Sequence, residues 1–267
     1  MNNPTVSIIT VVYNGVQYIE QTIKSVIAQD YTNIEFIIID GGSNDGTLDI
    51  IKKYKDNIAN WVSEKDSGIY NAMNKGLKIA SGEIVAILNA DDYYHSDTIQ
   101  NVVNHFVKTK ADIVYGNLTK FRSIEAKEYF VEITPDITIM EKRMGVFHPA
   151  TFIKKEVYQE VGVFNEKYKL SADYDFMLRV YKQQYDFQYL NKSLAYFRIG
   201  GASNTNCNSY KEGINILIEN KSPFVLQMQK AYVRCYIKNR TKKIINTLVT
   251  IFGFQNILNR RLEKKWR

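Results

Sequence analysis

Four short apolar runs recur early in the chain, at Thr5–Tyr13, Ile34–Ile39, Ala59–Ser63 and Glu83–Leu88. The strongest of them are nearly unbroken and rich in β-branched residues, which predicts strands covered on both faces. Between them, apolar positions fall at helical spacing. Ile19, Ile23, Val26 and Ile27 mark a helix within Val16–Gln29, and Leu48–Tyr54 and Ile69–Ala80 predict two more. Alternating strand and helix in this way predicts an α/β fold with a mostly parallel sheet and helices on its faces.

Beyond residue 95 the alternation weakens. The pattern predicts a helix over Thr98–Lys108 and strands over Ile113–Phe121 and Tyr129–Ile133. A loop at Met144–Pro149, a strand at Thr151–Ile153 and a helix at Glu156–Val161 follow. Ala172–Tyr181 reads as a helix with Ser171 as its N-cap. Phe187–Leu190 and Ala195–Arg198 read as two short strands, Gly200–Ser203 as a flexible loop, and Asn208–Glu219 and Phe224–Leu262 as helices.

In parallel sheets, ligands bind outside the carboxyl ends of the strands. Polar clusters stand at those ends here: Tyr13-Asn14, Asp40–Thr47, Glu64–Ser67 and Asn89–Asp92. The run Ile84–Tyr94 ends in two adjacent carboxylates, Asp91 and Asp92. Neighbouring aspartates repel and resist desolvation, and a divalent cation shared with a substrate phosphate neutralises them. The plainer alternative is that they open a loop. The Asp40–Thr47 loop either holds a nucleoside or makes a tight turn. No Walker loop and no Gly-x-Gly-x-x-Gly follows the first strand, so a dehydrogenase is poorly supported.

Asp175 and Arg179 are spaced to pair on one helix face. Asp173 has no partner at that spacing and sits in the first helical turn, where the dipole favours an ionised carboxylate. Such a group serves as a general base for a hydroxyl, or simply as a helix-end acid. His148, in a loop beside Pro149, is either a packing residue or part of an acceptor site. His95 and His105 read as peripheral.

Charge changes this picture in one place. Twelve of the 35 Lys and Arg residues fall in 221–267, with Glu263 the only acidic residue there. A mildly acidic body, residues 1–220, thus carries a strongly basic tail. Ile244, Ile245, Leu248, Val249 and Phe252 share one helical face in it, which suits an interfacial helix on anionic lipid. An arm for nucleic acid is disfavoured by the acidic body and the lack of a stacking module. The start Met1-Asn-Asn-Pro-Thr does not read as a signal peptide, and no run reaches the length of a membrane span. Cys207 and Cys235, far apart, read as free thiols in a reducing compartment. The expected location is cytoplasmic, peripheral at the inner face of the cytoplasmic membrane.

Several segments together carry a resemblance: Ser7–Asn14, Ile39–Thr47, Asp66-Ser67-Gly68-Ile69-Tyr70-Asn71-Ala72-Met73-Asn74-Lys75-Gly76, Ser81-Gly82-Glu83 and Leu88–Asp92. Over about residues 5–205 the chain resembles family 2 glycosyltransferases of the GT-A fold, and looks most like the bacterial branch that includes the colanic-acid transferases. The resemblance implies inverting transfer of one sugar from a UDP- or GDP-linked donor, with Mn²⁺ or Mg²⁺, to a lipid-linked glycan acceptor in surface polysaccharide assembly. It also implies roles. Thr10, Tyr13, Asn14, Asp40, Asp66, Asn74 and Asp91 would bind the nucleotide sugar, and Asp91 or Asp92 the metal. Asp173 would be the catalytic base, and His148, Gly200, Gly201 and Ser203 would belong to an acceptor or donor loop. Two positions depart from the family pattern: Gly41 stands where a second aspartate is common, and Asn89 where the first Asp of Asp-x-Asp is expected. The Gln-x-x-Arg-Trp motif of processive synthases is absent. A reading of another class is a sugar-nucleotide-binding protein without turnover.

Overall fold

The computed structural model describes residues 3–124, 127–200 and 207–252. The first half is a run of parallel βα units: β1 (Val6–Val12), α1 (Ile19–Ile27), β2 (Ile34–Asp40), α2 (Thr47–Lys53), β3 (Asn60–Ser63), α3 (Ile69–Ile79) and β4 (Ile84–Asn89). β1 lies between β2 and β4, and β3 extends the sheet beyond β2, all in parallel register.

Side chains alternate between two apolar layers, which is why these strands read as unbroken runs. Ile9, Val11, Ile37, Ile39, Val85 and Ile87 share one layer with Tyr70, Ala72 and Met73 of α3. Val6, Ile8, Ile38, Ile84, Ala86 and Leu88 share the other with Ile19 and Ile23 of α1. Helix α3 lies unusually close to β1 at Gly76. A Cβ there would fall 2.4 Å from Ile9 Cγ2, so this crossing requires glycine.

The second half is the mixed extension: β5 (Tyr93–Tyr94), α4 (Thr98–Thr109), β6 (Ile113–Ile124), β7 (Lys127–Ile133), β8 (Thr151–Lys154), α5 (Lys155–Val161), α6 (Ala172–Lys182) and β9 (Phe187–Arg198). Among the described residues nine strands form one sheet, in the order β3-β2-β1-β4-β8-β6-β9-β5 with β7 beside β6. The two short strands expected at Phe187–Leu190 and Ala195–Arg198 are one strand, β9. The polar Asn191-Lys192 step that reads as a break is where β9 carries extra residues against β6, as the register shifts around Asn117 show. β5, which the pattern does not signal, pairs with β9 and carries the chain past the aspartates into the extension.

Ser171 is the N-cap residue of α6 as expected, though its side chain makes no capping bond and its hydroxyl donates to the Ser209 carbonyl at 3.2 Å. One further expectation is corrected. Cys207 and Cys235 are not free thiols. Helices α7 (Asn208–Glu219) and α8 (Val225–Phe252) return against one another, bring the two Cα atoms within 5.9 Å, and the cysteines form a disulfide. A separation of 28 residues hides a pairing that only the helical hairpin creates. The cysteines therefore give no argument for a reducing compartment. The start of α8 is anchored to the body, with Met228 buried in the core beside Ile216 and Leu217. No helix among the described residues is long and apolar enough to cross a membrane.

Candidate active site

A cavity of about 510 Å³ opens at the carboxyl ends of β1 and β4, and Tyr13, Asn14, Asp66, Asp91, His148 and Asp173 all line it. Residues widely separated in sequence meet there because three loops end at one sheet edge. The start of α6 adds Asp173 to the lining.

Asp40, at the end of β2, is fully buried and serves its own loop. Its carboxylate accepts from the backbone N–H groups of Gly42 and Ser43, each at 3.0 Å, and from the Ser63 hydroxyl at 2.7 Å. The Ser43 hydroxyl completes the set and in turn accepts from Asn14 N at 2.7 Å. The Asn14 side chain accepts from Asn44 N at 3.0 Å. The loops after β1 and β2 are thus one hydrogen-bonded unit, leaving Tyr13, 66% exposed, projecting at the cavity wall. Thr10 is buried beneath, and its hydroxyl has no partner among the described residues.

Asp66 accepts from Gly68 N at 2.9 Å, in the turn that opens α3. Its other oxygen explains Gly41. A Cβ at residue 41 would lie 2.4 Å from Asp66 Oδ2 and 3.4 Å from the Tyr13 ring. The Asp66 carboxylate occupies the space a side chain at position 41 would need. Asn74 lies on α3 and is bonded away from the chamber. It donates to the Phe164 carbonyl and to Glu166 Oε1, each at 2.9 Å, and accepts from Phe164 N at 3.1 Å.

Asp91 and Asp92 differ sharply. Asp91 lines the cavity. Burial raises its pKa, and the positive charge of Arg198 only partly opposes this. Asp92 is 1% exposed and turned into the protein, where Oδ1 accepts from Arg198 N at 3.1 Å and Oδ2 has no partner among the described residues. Burial, with the Asp91 charge second, pushes its pKa well up. Arg198 is itself held by the rings of Tyr18 and Phe121, 4.4 and 4.5 Å from its guanidinium carbon. The desolvated Asp91 carboxylate on the cavity wall fits a hard divalent cation, with Asp92 behind it. No group of three His, Cys, Asp or Glu side chains gathers for a metal among the described residues.

Asp173 enters from the first turn of α6. Oδ1 accepts from the Tyr70 hydroxyl at 2.8 Å and from Tyr174 N at 2.9 Å. Oδ2 lies 4.0 Å from His148 Nδ1, beyond hydrogen-bond reach. Burial lowers the His148 pKa, with the Asp173 charge opposing, which favours a neutral imidazole. Asp175 and Arg179 form the expected pair at 3.0 Å, and Arg179 also donates to the Val161 and Val163 carbonyls. Asp175 therefore holds the fold together while Asp173 faces the chamber. Gly200 follows β9 with φ +133°, and Gly201 and Ser203 lie outside the described residues. No local pattern marks Tyr70 or Glu166 as functional. Tyr70 sits within the Asp66–Gly76 segment, but its bond to Asp173 spans 103 residues.

The family model for glycosyl transferase family 2 matches residues 7–176. The chain belongs to that family. It is 33% identical over 217 residues to an uncharacterised glycosyltransferase of Rickettsia typhi, covering 76% of this chain and 67% of the relative. Among solved structures it is similar to S. aureus TarS 1–349 in complex with UDP-GlcNAc, with a TM-score of 0.66 at 20% identity over 80% of this chain and 66% of the other. It spans only 39% of the longer TarS chain. It is also similar to the mannosyltransferase PcManGT of Pyrobaculum calidifontis in complex with GDP-Man and Mn²⁺, with a TM-score of 0.62 at 17% identity, covering 97% of this chain and 83% of that one. The fold of this glycosyltransferase is GT-A.

Proposed function

We propose that this glycosyltransferase transfers one sugar, with inversion, from a UDP- or GDP-linked donor to a hydroxyl of a lipid-linked glycan in bacterial surface polysaccharide assembly. The observation that carries the reading is the single cavity lined by Asp66, Asp91 and Asp173. The nucleoside lies against Tyr13, Asn14 and Asp66, with Thr10 and Asp40 supporting their loops from beneath. Asp91, with Asp92 buried behind it, would hold a Mn²⁺ or Mg²⁺ ion, which when bound neutralises charge on the leaving diphosphate. Asp173 takes the acceptor hydroxyl proton as its oxygen bonds to the anomeric carbon. The bond to the diphosphate breaks on the opposite face and its electron pair leaves with the nucleotide. The neutral His148 beside Asp173 sits where the acceptor enters.

A thermal-shift panel tests the donor class. A UDP- or GDP-linked sugar raises the melting midpoint in the presence of Mn²⁺, by an amount set by mass action. A midpoint unmoved by every nucleotide sugar overturns the reading.

Residues 1–220 form the catalytic unit in this proposal and 221–267 the tail that docks on membrane. Support comes from the described part of α8, where Leu226, Val233, Tyr236 and Ile237 are exposed, with Lys230, Arg234, Lys238 and Arg240 along the same helix. The interfacial face expected at Ile244–Phe252 falls on side chains outside the described residues. Each basic residue near an anionic surface contributes about 1 kcal/mol, so Arg234→Gln with Lys238→Gln should weaken partitioning onto phosphatidylglycerol liposomes about 30-fold. Co-sedimentation at physiological salt measures it. Equal pelleting of both proteins removes the basic face from the docking model.

A further inference from the structure

We propose that Tyr70 is the positioning residue for Asp173, holding one carboxylate oxygen so that the other faces the acceptor. The inference rests on Asp173 being the base. Its observations are geometric. Two donors, the Tyr70 hydroxyl at 2.8 Å and Tyr174 N at 2.9 Å, converge on Oδ1. Oδ2 receives neither, and His148 Nδ1 lies 4.0 Å from it. The two oxygens are therefore inequivalent, and the one without a donor is the better proton acceptor.

Tyr70 suits this role for reasons that packing alone does not require. Its ring is buried against Phe164, with centroids 5.6 Å apart, and a phenylalanine would fill that space equally well. The hydroxyl is the part that packing leaves unexplained, and Asp173 is its hydrogen-bond partner. Burial, reinforced by the Asp173 charge, raises the Tyr70 pKa well above its ordinary value. The hydroxyl stays protonated and acts as a donor throughout the working pH range.

Tyr70 also joins the base to the donor side of the cavity. It lies in the first turn of α3, directly after the Asp66–Gly68 turn. The same helix is clasped to the segment leading into α6. Glu166 accepts from Asn71 at 3.1 and 3.2 Å and from Asn74 at 2.9 Å, and the Asn74 bond leads in holding its carboxylate below the usual range. Asp66 and Asp173 thus sit on two elements locked together through Glu166 and Tyr70. A shift of the donor turn is transmitted to the base.

The test is Tyr70→Phe, which keeps the ring and deletes the bond. The charged and titratable groups around Asp173 remain in the variant: His148 ahead of β8, Lys169, Asp66 and Asp91 around the cavity, and Glu212 of α7. Loss of orientation lowers kcat about 10- to 100-fold, while donor Kd and acceptor KM stay within about two-fold. An unchanged kcat, even with a lower melting midpoint, gives Tyr70 a structural role only and overturns the inference. The parent reading fails separately. If Asp173→Asn retains transfer, the base is wrong; if it abolishes transfer while Tyr70→Phe is silent, only the positioning role is lost.

Discussion

Asp173→Asn is expected to lower kcat about 10²- to 10⁴-fold, the range a positioned general base supplies, or roughly 3 to 5 kcal/mol of barrier. The substitution is nearly isosteric. The amide oxygen still accepts from Tyr70 and Tyr174, so the start of α6 keeps its geometry. What disappears is the ability to take a proton. An acceptor hydroxyl that keeps its proton is a poor nucleophile, and the neutral His148, 4.0 Å from Oδ2, is not placed to substitute without rearrangement. Donor affinity should change less than about three-fold, because in the proposed function the nucleoside rests on Tyr13, Asn14 and Asp66 rather than on Asp173. Calorimetry with the donor and a transfer assay on the same preparation separate the two effects. Transfer within a few-fold of the parent would remove Asp173 from the chemistry. A parent chain that binds donor yet never turns over, with Asp173→Asn binding equally well, would favour a donor-binding protein.

Local sequence carried the first half of the fold because strand and helix alternate there with little interruption. β1, β2 and β4 are buried on both faces, so their apolar runs announce themselves. The extension was less legible. β5 is two residues long, and β9 holds polar residues where it bulges against β6; neither has a periodicity to read. At the site, the sequence supplied the residue types at the strand ends but not their division of labour. Asp91 and Asp92 look interchangeable as neighbours. Their difference arises from β5, which pairs with β9 and sets the Arg198 N–H against Asp92 alone. Gly41 likewise looks like a missing carboxylate until the chain brings Asp66 against it. Tyr70 and Cys207 belong to the same class: their partners, Asp173 and Cys235, are chosen by packing across the molecule, and no local spacing encodes them.

That asymmetry at the aspartates gives the second large effect. Asp91→Ala should weaken donor binding in the presence of Mn²⁺ by about 100-fold and remove most of its metal dependence, while Asp92→Asn should do much less. Asp91 stands on the cavity wall with a carboxylate whose burial disfavours its charged form. A cation held there would relieve that penalty and supply charge for a diphosphate, which a methyl group cannot do. Asp92 is buried and oriented by the Arg198 backbone, so it supports the site from behind. An asparagine there retains an acceptor for Arg198 N and removes a buried ionisable group, a change that is often close to neutral for the fold. Arg198 stays clamped between Tyr18 and Phe121, so the β9 end does not depend on the Asp92 charge. Titration of each variant with donor, with Mn²⁺ and then with a chelator, measures the difference directly. Retained metal-dependent binding in Asp91→Ala together with its loss in Asp92→Asn would reverse the assignment and require the Asp92 side chain to rotate out toward the donor.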